Sequence, residues 1–151
     1  MRTQRFGIEI EMTGITRKKA AEVIAEYFGT ESFYLGTYYK TYGAKDRQGR
    51  TWKATYDSSI IAQKKSRGRT VQAADEYKCE VVSPILTYGD MADLQEIVRR
   101  LRHSGAFVNS QCGIHYASLR IIKKILKKPP FYQPVLSKSF HNNHSQYLLS
   151  Q

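Results

Sequence analysis

The chain lacks any run of roughly 18 or more apolar residues, so it offers no helix able to cross a bilayer. Its N-terminus shows no apolar core followed by small residues, and therefore no sign of a signal peptide. Cysteine is scarce. Cys79 and Cys112 stand far apart, with neither C-x-x-C nor histidine spacing, which leaves no disulfide framework to read. Together these absences predict a reduced, cytoplasmic protein with incidental thiols. Acidic residues are missing altogether after His115, where Arg120, Lys123, Lys124, Lys127, Lys128 and Lys138 carry +6 of the net +11. The first 115 residues hold all 13 acidic groups against 18 basic ones, and so are only moderately basic. Such a field suits nucleic acid, and equally an anionic small molecule such as a nucleotide.

What is present is enough for a folded unit: 151 residues, 41% hydrophobic and 12% aromatic, the size of one domain with a real core. The organising stretch is Arg5 to Met12, where apolar and acidic residues alternate with the period of a strand. Ile8, Ile10 and Met12 share one face and Glu9 and Glu11 the other. Two carboxylates about 7 Å apart on one strand face repel each other unless a cation lies between them. A plain solvated face is the competing reading.

Thr16 caps a helix predicted over 17–28, with Ala20, Val23, Ile24, Tyr27 and Phe28 as its apolar stripe and Gly29 as its stop. Residues 33–45 read as an irregular strand, Asp46 to Gly49 as a turn and Arg50 to Tyr56 as the returning strand. The aromatic side chains here (Tyr34, Tyr38, Tyr39, Tyr42, Trp52, Tyr56) suit sheet packing first and base stacking second. Gln63 to Asp75, with Lys64, Lys65, Arg67 and Arg69, reads as a solvated, mobile loop rather than a phosphate clamp. Glu76 to Val82 is a strand carrying Glu80 and closed by Ser83-Pro84. Asp90 caps a second helix, with Met91, Leu94, Ile97, Val98 and Leu101 buried and Gly105 ending it. Ala106 to Asn109 reads as a short strand, and Gln111 to His115 begins another. Two helices among six strands predict an α+β domain, mostly antiparallel, with the helices on one face of the sheet.

Glu9, Glu11, Asp57, Glu80 and His115 thus all fall on or just after strands. Four carboxylates gathered on one sheet face are strongly destabilised unless they hold divalent cations, and hard oxygen donors with open positions suit Mg²⁺ bridging to phosphates. That argument yields metal-assisted chemistry on a phosphate, without separating phosphoryl transfer from nucleic-acid hydrolysis.

Phe-Gly-Ile-Glu-Ile-Glu-Met (6–12), Tyr-Asp-Ser-Ser-Ile (56–60), Cys-Glu-Val-Val-Ser-Pro-Ile-Leu (79–86) and Cys-Gly-Ile-His (112–115) occur in an informative order. In that order and spacing, residues 4–115 resemble the amidoligase family, carboxylate–amine ligases of the glutamine synthetase and glutamate–cysteine ligase superfamily. The resemblance implies part of a glutamine synthetase-like catalytic fold. It implies an ADP-forming ligase that uses ATP and Mg²⁺ to activate a carboxylate as an acyl phosphate, which an amine then displaces. By the same resemblance Glu9, Glu11 and Glu80 match metal ligands. Asp57 matches a substrate- or metal-side carboxylate, and His115 the first histidine of a Gly-x-His-x-His strand facing nucleotide and metal. The implied partners are ATP and small-molecule or peptide carboxylates and amines.

The likeness stops there. Ala117 stands where the second histidine is expected, and residues 116–151 match nothing in the family, which continues well beyond this point with further strands. The expectation is a catalytic-fold fragment over 1–115 and a basic, poorly packed tail over 116–151. Such a chain is truncated or frame-shifted, or has its missing strands supplied by a partner protein, and is inactive alone. A short helix over 118–128 ends at Pro129-Pro130, and His141 and His144 belong to a polar tail more readily than to a metal pair. The alternatives are a basic nucleic-acid-binding module, using Lys64 to Arg69, the tail lysines and the tyrosine-rich hairpin, or a metal-dependent nuclease using Glu9, Asp57 and Glu80.

Overall fold

Alternating apolar side chains along five of the strands give the sheet one buried face, and that face organises the fold. The computed structural model describes residues 4–118. Strand β1 (Phe6–Met12) lies inside a six-stranded sheet of order β2-β3-β4-β7-β1-β8, in which every neighbouring pair is antiparallel. The other members are β2 (Ser32–Tyr34), β3 (Tyr42–Lys45), β4 (Thr51–Thr55), β7 (Cys79–Val82) and β8 (Ile114–Ser118). Register aligns Ile114, Ile10, Val81, Ala54, Tyr42 and Tyr34 in one row across the sheet. Apart from Tyr34, which is exposed, this row and its period-two neighbours Met12, Cys79, Trp52 and Ala44 pack under two helices, α1 (Arg17–Phe28) and α2 (Met91–His103). The expected α+β class, with an antiparallel sheet and helices on one face, is what the chain adopts.

Helix α1 has the predicted bounds for the predicted reasons. The Thr16 side chain accepts the Lys19 N–H at 3.2 Å, and Gly29 takes the left-handed φ of +68°. The Gly29 and Thr30 amides then close on Glu26 and Ala25, satisfying the last carbonyls. Arg17 is buried at the first turn. Its guanidinium donates to the carbonyls of Asp75 (2.6 Å) and Lys78 (2.9 Å), pinning the chain that leads into β7.

Several expectations need correction. Gln63 to Asp75 is not an irregular loop: β5 (Gln63–Ser66) and β6 (Arg69–Gln72) form their own hairpin, turning through Arg67 at φ +50° and Gly68. Its exposed, charged faces carry no apolar period, so the signal that marks a strand was absent while cross-strand hydrogen bonding still forms one. The 33–45 segment is two strands joined by an exposed loop. The strand carrying Glu80 starts at Cys79, because Asp75–Tyr77 takes a 3₁₀ turn. Ala106 to Asn109 forms no strand; Phe107 makes a single bridge to Thr13. Asp90 does not cap α2 with its side chain, since its carboxylate turns back to the Thr87 N–H (2.7 Å) and to Arg50 (2.7 Å). Ser118 closes β8 rather than opening a helix, and the remaining expectations for the tail, including His141 and His144, fall outside the described residues. Among the described residues no helix is long and apolar enough to cross a membrane.

Candidate functional site

The sheet face turned away from the helices carries two polar rows. Strand pairing sets Thr55, Glu80 and Glu11 side by side in one, and Gly43, Lys53, Val82, Glu9 and His115 in the other. The five residues singled out from sequence therefore converge on one end of one face, with Asp57 reaching it from the turn after β4. That turn is fixed locally: Asp57 Oδ1 accepts the Ser59 N–H at 2.7 Å, and the ring of Tyr56 before it lies against Arg17 and Lys78.

The tightest grouping is Glu11, Asp57 and Glu80, with one carboxylate oxygen from each inside a 4.8 Å span. Glu11 is buried and held from two sides, by the Gly113 N–H at Oε2 (2.7 Å) and by His115 Nε2 at Oε1 (3.0 Å). Among the described residues, neither Asp57 nor Glu80 has an ion-pair partner. Burial pushes the Glu80 carboxyl up to about 7, helped by the charges of Glu9, Asp57 and Glu11 and opposed by His115. A half-buried acid among three others is the electrostatic deficit that a cation would relieve.

The expected metal trio was Glu9, Glu11 and Glu80. Geometry puts Asp57 within the close group, while Glu9 stands exposed one register step away, opposite Val82 and His115. Glu9 still acts on the group, ranking first among the charges that raise Glu80. His115 touches Glu11 directly and stands beside Glu9. The Gly113 amide was missed in the sequence reading, since a backbone donor leaves no mark on composition. Lys53, in the second row on β4, was not singled out from the sequence either.

The aromatic residues considered as a base-stacking surface do not form one exposed platform. Trp52 is 1% exposed and packs against Phe28 in the core, Tyr42 lies on the helix side, and Tyr38 stands free at 93% exposure.

No curated protein and no solved structure matches the chain. The family model described as "Putative amidoligase enzyme" matches residues 2–116, which span both helices and the sheet as far as the middle of β8. With its acidic strand, Asp-x-Ser-Ile turn, Glu80 strand and Gly-Ile-His strand meeting on one face, the chain belongs to the amidoligase family, whose function is of the ligase type.

Proposed function

We propose that the protein takes part in ATP-dependent carboxylate–amine ligation, with Glu11, Asp57 and Glu80 as the holders of Mg²⁺ and Glu9 at the rim of that site. The observation that carries this reading is the grouping of those oxygens within 4.8 Å around a carboxyl raised to about 7. The donor set fits: it is all oxygen, without thiolate and with His115 engaged by Glu11, as a hard cation prefers. A cation held there would neutralise phosphate charge and let an anionic carboxylate approach it.

The chain's own groups then have distinct tasks. The Gly113 amide and His115 fix the Glu11 carboxylate, so that its orientation is set before any ligand arrives. Glu80 would hold the cation as the carboxylate, giving up the proton that burial favours. Asp57, held by its own turn, closes the third side. In the reaction a substrate carboxylate oxygen attacks the γ-phosphorus of ATP and ADP leaves. The amine nitrogen then attacks the acyl carbon, and phosphate and a proton depart. Water must be kept from the acyl phosphate. The described residues supply one wall of such a site.

The test is ADP release by the purified chain with Mg²⁺, ATP and panels of amines and carboxylates. Turnover that needs both acceptors and is lost in Glu11→Gln supports ligation. Release of nucleotides from DNA or RNA, without ADP formation, would instead favour the nuclease alternative. Turnover that appears only when a second protein is added locates the rest of the site in that partner.

A further inference from the structure

Lys53 occupies a particular place on the site face. It lies between Gly43, which has no side chain, and Val82, which has no polar atom beyond its backbone. The nearest acid in register is Glu80, diagonal to it across β4 and β7 at about 7–8 Å between backbones. Glu9 lies in the same row, two strands away, at about 10 Å. An ammonium on a four-carbon stem would ordinarily swing onto such an acidic group. Among the described residues the Lys53 side chain makes neither an ion pair nor a hydrogen bond, and the residue stays exposed.

Neighbouring cations are already engaged. Lys45, further along the same face, donates to the Gly49 carbonyl at 3.3 Å. Lys78 is shared between the Ser58 carbonyl (3.4 Å) and Asp75 (3.5 Å). Lys53 thus combines a place beside the carboxylate group with a side chain left uncommitted. The packing around it is also permissive: the Phe33 ring lies over Gly43, where an added Cβ would meet it at 2.7 Å, so that side is walled without any competing polar atom.

We propose that Lys53 is a phosphate-binding residue of this site, donating to a non-bridging oxygen of the nucleotide's terminal phosphates while the carboxylates hold the cation on their other side. This rests on the metal reading above and goes further by naming a protein group that binds the anion. Lysine suits the task as a mobile point charge with three donors, able to follow a phosphoryl group as it moves.

The experiment uses the full chain and Mn²⁺ as the spectroscopic stand-in for Mg²⁺, with binding of Mn²⁺ alone, Mn·ATP and Mn·tripolyphosphate measured for the parent, Lys53→Gln and Lys53→Arg. The expected result is Mn²⁺ affinity unchanged within about twofold and both polyphosphate complexes weakened on the order of tenfold in Lys53→Gln, with recovery in Lys53→Arg. Unchanged polyphosphate binding in Lys53→Gln would overturn the assignment. So would an equal loss of Mn²⁺ alone, which marks a structural role, or weakening confined to ATP, which places the contact elsewhere on the nucleotide. A parent chain that binds no Mn²⁺ would instead overturn the metal reading itself.

Discussion

Glu11 and Glu80 are direct cross-strand partners, facing each other on the same side of the sheet. Like charges in that position oppose strand pairing. Their stability cost is readable in Glu80, whose carboxyl is raised to about 7 chiefly by burial.

The sign of the first prediction follows from that shift. A carboxyl raised in the folded state binds its proton more tightly there than in the unfolded chain. Its contribution is therefore most favourable below the usual carboxylate range and is lost as pH rises through about 7. In chelator, Glu80→Gln should be more stable than the parent at pH 8 and near parity at pH 4.5. Thermal unfolding at the two pH values checks this. An equal difference at both would remove the electrostatic explanation.

Metal should reverse the order. With millimolar Mg²⁺ or Mn²⁺ the parent should gain in melting temperature, while Glu11→Gln, Asp57→Asn and Glu80→Gln should gain little. Glu9→Gln should keep a partial response, because Glu9 stands outside the closest group. Titration calorimetry on the four variants ranks them. A Glu9 variant as deficient as Glu11→Gln would show that the ion sits one register step further along β1.

Much of this arrangement was legible in the sequence, and the reasons differ by residue. Period two placed Glu9 and Glu11 on one face, and the Ser83-Pro84 stop placed Glu80 near a strand end. Thr16 and Gly29 bounded α1 because capping is local chemistry. The exchange of Asp57 for Glu9 in the tight group was not legible, because it depends on pairing register and on how the Asp57 turn folds inward. The β5–β6 hairpin was hidden for another reason: its stability lies in backbone pairing and in its anchor to Thr13. There the Gln63 amide donates to Thr13 Oγ1 at 2.8 Å and the Thr13 hydroxyl returns a bond at 2.9 Å. Side-chain pattern reports burial, and an exposed ribbon buries little.

The Asp46–Arg50–Asp90 group fixes the far end of the β3–β4 hairpin against the approach to α2. Arg50 lies 2.7 Å from each of the two carboxylates. Its guanidinium is the main reason that the Asp90 carboxyl is held down at about 2. A depressed carboxyl stabilises the fold above its unfolded value, and that contribution disappears as pH falls toward 2. Asp90→Asn should cost about 2 kcal/mol at pH 7, with the difference shrinking as the pH is lowered toward 2. Denaturant unfolding across that range reads it. A pH-independent loss would assign the effect to the Thr87 hydrogen bonds instead.

Gly14 links the fold to the site, and its replacement makes the sharpest stability test. It follows β1 by two residues, and its amide donates to the Gln63 carbonyl at 2.9 Å, tying the acidic strand to the segment that leaves Asp57. Its φ is +81°, a region that costs any residue with a Cβ. Space is lacking as well: a Cβ would lie 2.3 Å from the Gly105 carbonyl oxygen and 2.4 Å from the Phe107 ring. A ring can turn aside, but the carbonyl belongs to the tight stop after α2 and moves only with the backbone. Gly14→Ala should therefore destabilise by about 3 kcal/mol or more, combining positive-φ strain with a backbone clash. Gly7 gives the control within the same segment, since a Cβ there meets nothing within 4 Å and its φ is not positive. Gly7→Ala should change stability by no more than about 1 kcal/mol, with a gain as the expected sign. Urea unfolding of both variants decides the matter: similar behaviour in the two would mean that β1 does not end against the Gly105 turn.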